Sequence, residues 1–71
     1  MKTQNKLTLA EQIDRARNGL TQTWIIRQMA EMGCGMADSQ FSRKKLGFEE
    51  FTDEELIALN TILNSNITKN N

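Results

Sequence analysis

The sequence predicts an all-α domain built from four short helices, and three observations point to it. There is no proline, so no ring removes a backbone donor inside a helix. Apolar residues recur at three- and four-residue spacing in separate segments, the pattern of one buried helix face. Three of those segments open on Thr-x-x-Glu or Thr signals, and three close on glycine or Asn-Gly, the ordinary start and stop chemistry of helices.

Residues 1–7 are polar and read as a loose leader. Thr8 and Glu11 have capping-box spacing, in which hydroxyl and carboxylate each take a backbone N–H that the helix leaves unpaired. Leu9, Ile13 and Ala16 follow, and Asn18-Gly19 stops the first helix, expected over about 8–18. Thr21 caps the second, about 22–32, with Leu20 and Ile25 placed as a hydrophobic staple. Its stripe is Ile25, Met29 and Met32, with Ile26 and Ala30 beside it, ended by Gly33 and Gly35. Met29, Met32 and Met36 read as core filler rather than a partner-binding surface. Trp24 lies off the stripe, at a core edge or at an interface.

The third segment starts at Ala37 or Asp38, runs to Leu46 and closes at Gly47. Phe41 is its clear apolar anchor; its remaining side chains are mostly polar or basic. Thr52 with Glu55 repeats the capping box, and Phe51 with Leu56 repeats the staple. Leu56, Leu59, Ile62 and Leu63 form the stripe of a fourth helix, about 53–64. Asp53, Glu54 and Glu55 complement the positive end of its dipole. Residues 65–71 read as a frayed polar tail, and the glycosylation sequon at Asn66-Ile67-Thr68 as chance.

The 71 residues allow one domain, 1–71, with its core in 8–64. A chain of this size buries only about 60% of its unfolded surface, so the core is thin. The single cysteine, Cys34, excludes an intramolecular disulfide and suits a reducing compartment, the cytoplasm. Histidine is absent, so the usual zinc sets cannot form and no default general base exists near neutral pH. Gly33-Cys34-Gly35 fits no phosphate-binding loop. An enzyme, a metal and a cofactor are therefore not expected. The longest apolar run, Trp24-Ile25-Ile26, is far below a membrane span of ~20 residues. No signal peptide is visible.

Net charge is zero but segregated. Residues 1–47 hold eight Lys/Arg against four acids, +4; residues 48–71 hold one lysine against five acids, −4. Such a split makes a field that the total conceals. The run Arg43-Lys44-Lys45 is the part of it that asks for a reason.

Leu20-Thr21-Gln22, followed by Ile25, Ile26 and Met29, resembles the opening of the second helix in the Cro/C1-repressor (XRE-type) family of phage regulators. Ser39-Gln40-Phe41-Ser42-Arg43, then Gly47, resembles that family's DNA-reading helix, usually Ser-Thr-Ile-Ser-Arg, a few residues and Gly. Residues 51–63 match the helix that follows. The resemblance covers about residues 8–64. It departs from the family in a longer stretch between Met29 and Phe41, and in Ile26 where a small alanine is usual.

The resemblance implies a compact lambda-repressor-like helix-turn-helix domain that binds double-stranded DNA, with its third helix in the major groove. Gln40 and Arg43 would take adenine and guanine, and Ser39 and Ser42 phosphate or base. Gln22 and Thr23, at the start of the second helix, would meet the backbone near the same bases. Lys44 and Lys45 would hold phosphates. A stand-alone repressor of this size is expected to act as a homodimer on a two-fold operator. The rival expectation is an antirepressor of the same fold. Its acidic patch, Glu49 to Glu55, would cover the basic face of another regulatory protein.

Overall fold

A computed structural model describes residues 8–68. Four helices carry the fold: α1 (Leu9–Arg17), α2 (Gln22–Glu31), α3 (Asp38–Leu46) and α4 (Asp53–Leu63). No strand occurs among the described residues. The helix starts follow the local chemistry. Thr8 accepts from the Glu11 N–H at 3.1 Å, and Glu11 accepts from the Thr8 N–H at 2.9 Å. Thr52 and Glu55 repeat both bonds at the start of α4. Thr21 caps α2 through the Trp24 N–H. The start of α3 differs: Ala37 stands at the cap and contributes no side-chain bond.

Three helices end in the same reversal. After α2, Cys34 N–H reaches Met29 O and Gly33 N–H reaches Ala30 O. After α3 the pairs are Phe48 to Arg43 and Gly47 to Lys44; after α4 they are Ser65 to Asn60 and Asn64 to Thr61. This is the Schellman arrangement, which needs a left-handed residue at its corner. Gly33, Gly47 and Asn64 supply it, all with positive φ. Gly35 serves a different purpose. A Cβ there would lie 2.9 Å from the Ala30 Cβ, so the chain leaving α2 passes too close to that helix for any side chain.

α3 packs on α1 and α2, and α2 also packs on α4. The core joins Ile13 of α1, Ile25 and Met29 of α2, Phe41 of α3 and Leu59 and Leu63 of α4. Phe51, just before α4, meets Phe41 edge-on, with ring centroids 5.5 Å apart and 73° between the planes. Met29 and Met36 belong to the core or pack against it. Met32, expected on the same stripe, is exposed, because α2 gives way to its reversal there.

The tail corrects a second expectation. Far from fraying at residue 65, the chain folds back as far as Thr68. Ile67 is 4% exposed and joins the core. The Asn60 carboxamide brackets it: Nδ2 donates to Ile67 O at 2.9 Å and Oδ1 accepts from Ile67 N–H at 2.7 Å. Gln12 of α1 makes the same double bond to the Thr68 backbone. The part of the expected tail beyond Thr68 lies outside the described residues.

Candidate nucleic-acid interface

Successive residues of a helix turn by about 100°. With Phe41 buried, Ser39 and Arg43 therefore point away from the core. Ser39 is exposed, Arg43 is exposed and Gln40 is half-buried on one flank. Ser42 lies on the opposite flank, against α2. There Gln22 Nε2 donates to Asp38 O and to Ser42 Oγ, both at 3.3 Å. The glutamine at the start of α2 thus ties that helix to the first turns of α3. Thr23, next to it, is exposed. Ser39 stands within the first turn and does not cap the helix.

The basic run separates into three directions, and each cation meets a carboxylate. Lys44 turns inward and is 6% exposed. Its Nζ donates to Glu55 Oε1 at 2.5 Å and sits 6.0 Å from the Phe51 ring centroid. Burial alone would raise the pKa of the Glu55 carboxyl. Hydrogen bonds from Lys44 and Thr52 and the lysine's charge outweigh that, and the net pKa is lowered from the ordinary 4.5. Lys45 reaches back to Asp14 of α1 at 2.7 Å, and Arg17 adds a looser contact to the same carboxylate at 3.7 Å. Arg43 donates from Nε to Glu49 Oε2 at 2.6 Å.

This overturns the phosphate-holding expectation for Lys44, whose ammonium is enclosed. It also gives Lys45 a structural partner that a phosphate would have to displace. Lys44 and Lys45 flank Phe41 at three and four residues' distance, on the side of α3 that packs, so their short linear distance from Arg43 misleads.

The surface that remains for a ligand is Thr23, Ser39, Gln40 and Arg43, with Gln22 and Ser42 positioning α3 from beneath. Two residues join it that sequence reasoning passes over. Arg27 is exposed on α2, and among the described residues only it and Arg15 are cations outside an ion pair. Glu49 reads in the sequence as part of the acidic patch; the signal for its real place is its position two residues after a helix-ending glycine. Exposed hydroxyl and guanidinium groups, with a half-buried carboxamide beside them, are groups that can bind a ligand by hydrogen bonds and discriminate between partners. Among the described residues no three His, Cys, Asp or Glu side chains converge to hold a metal ion, and no helix is long and apolar enough to cross a membrane.

Comparison of the chain with protein-family models, curated proteins and solved structures finds no match.

Proposed function

We propose that this chain is a sequence-specific DNA-binding transcriptional regulator, a small phage-type, Cro-like repressor that reads operator DNA as a homodimer with α3 in the major groove. One observation carries the reading. α3 is held on its inner sides by Phe41, Lys44, Lys45 and the Gln22 bonds, while Ser39 and Arg43 are turned outward. A helix anchored on three sides and polar on the fourth has the form of a reading helix. The test is selection from random duplexes, followed by titration of a selected and a scrambled site at two salt concentrations. A repressor of this kind separates the two sites by at least ~10³-fold. Equal, weak binding to both would defeat the proposal.

A second reading has its own support. Each cation of α3 is matched by a carboxylate of this same chain, and Glu50, Asp53 and Glu54 leave an acidic surface exposed. An antirepressor that covers another regulator's basic face would use that surface. Lack of retention on heparin at low salt would favour it.

A further inference from the structure

We infer that Glu49 is a positioning residue for DNA reading: it holds Arg43 by Nε and leaves the two terminal nitrogens to take a guanine end-on. The inference rests on the DNA-binding reading above and names the base that Arg43 would recognise.

The geometry begins in the backbone. Gly47 turns the chain at φ 96°, and Phe48 N–H and Glu49 N–H both reach the carbonyl of Arg43, at 2.9 and 3.3 Å. Glu49 is thereby tethered to the residue whose side chain it holds. A Schellman turn is frequently closed by an apolar contact between the residue after the corner and the one four before it. Here those residues are Phe48, which stays 78% exposed, and Arg43. The turn delivers a carboxylate to Arg43 instead.

An ion pair with side chains 50% and 38% exposed contributes little to stability by itself. Its effect is on orientation. A guanidinium carries five N–H donors in a rigid fork. With the Nε–H given to Glu49, the side-on pair, Nε with one Nη, is no longer available. The end-on pair, Nη1 with Nη2, remains free, and it matches the O6 and N7 acceptors of guanine in the major groove. Fixing the long side chain beforehand also lessens the rotamer freedom lost on binding. The same carboxylate repels phosphates that a free arginine would attract, so non-specific binding is weakened while the guanine contact is kept. The opposite role, a brake in which Glu49 competes with DNA for Arg43, uses the same contact and predicts different measurements.

The experiment uses the full chain and duplexes selected by it. Guanines of the selected site are replaced one at a time by 7-deazaguanine, which lacks the N7 acceptor. The position of interest is the one whose penalty disappears in Arg43→Ala. There the unmodified chain should lose about tenfold in affinity. Glu49→Gln should reduce that penalty to about twofold or threefold and raise affinity for scrambled duplex. In the Arg43→Ala background, adding Glu49→Gln should leave the modified-base penalty unchanged, since Glu49 acts through Arg43. Glu49→Asp should restore part of the penalty. Thermal melting of each variant separates these effects from loss of fold. A full penalty retained in Glu49→Gln would overturn the inference. So would a gain in affinity that is equal on selected and scrambled sites, which marks a brake. If the unmodified chain selects no sequence, the DNA-binding reading falls and takes the inference with it.

Discussion

Lys44 is a cation that the core has taken in. Its ammonium lies between the Glu55 carboxylate and the Phe51 ring, and its side chain is 7% exposed. Removing one member of such a pair leaves the other charge buried and uncompensated. Lys44→Ala should therefore lower stability by about 3 kcal/mol, read as a shift of the urea midpoint. Lys44→Met should cost less, because methionine replaces the aliphatic stem and its sulfur tolerates an irregular site. Neither variant should change the salt dependence of DNA binding, since removing a phosphate-bound cation would flatten the log–log slope by about 0.9. The partner fixes a pH dependence. The folded Glu55 carboxyl lies below its ordinary 4.5, so the pair contributes fully above that value. Its contribution is lost as pH falls through the lower, folded pKa. Wild type should lose stability through this acid window more steeply than Glu55→Gln, which is weaker at neutral pH. The gap between the two proteins should narrow as acid is added; a gap of constant size would show that Glu55 is not the titrating group.

At the scale of the helix, ends are chemically explicit and faces are not. Thr8, Thr21 and Thr52 act on backbone donors three residues away, so the starts of α1, α2 and α4 are legible from neighbouring residues. Gly47 is legible for the same reason. Gly47→Ala forces an L residue to φ 96° and should destabilise by about 1–2 kcal/mol in thermal or chemical melts. It should also loosen Glu49, which the same turn positions. The start of α3 lacks a cap. Ala37→Ser should therefore stabilise the protein by about 1 kcal/mol, provided the hydroxyl reaches the Gln40 N–H. Which face of α3 each cation takes is harder to read. Phe41 alone marks the inner side, and the acids that decide the matter lie elsewhere: Asp14 on α1, Glu49 in a turn and Glu55 on α4. Arg43-Lys44-Lys45 looks like one basic surface in the sequence because adjacency hides a rotation of about 100° per residue. The outward placement of Ser39 and Arg43 is legible, because it follows from Phe41 alone.

For the whole molecule, the opposed charges of the two chain segments serve folding in part. Arg43–Glu49 and Lys44–Glu55 each join a cation of the first segment to an acid of the second, whereas Lys45 and Arg17 meet Asp14 of their own segment. The closing of the core is the least legible feature. Ile67 is a single apolar residue in a polar stretch, with no period to announce it, and only tertiary packing shows its use. It is buried with Leu59 and Leu63 of α4, and its backbone is bracketed by the Asn60 carboxamide. Ile67→Ala should therefore behave as a core truncation, lowering stability by about 2–4 kcal/mol. Asn60→Ala removes both bonds to the Ile67 backbone and the one from Ser65, and should also destabilise. The two act on one event, the docking of residues 65–68. Once that segment has detached, the second change has little left to remove. The double variant should thus lose less than the sum of the single losses, by about 1 kcal/mol or more. Additive losses in equilibrium melts would mean that Ile67 stays in the core without Asn60, held by its own packing and by the Gln12 bonds to Thr68.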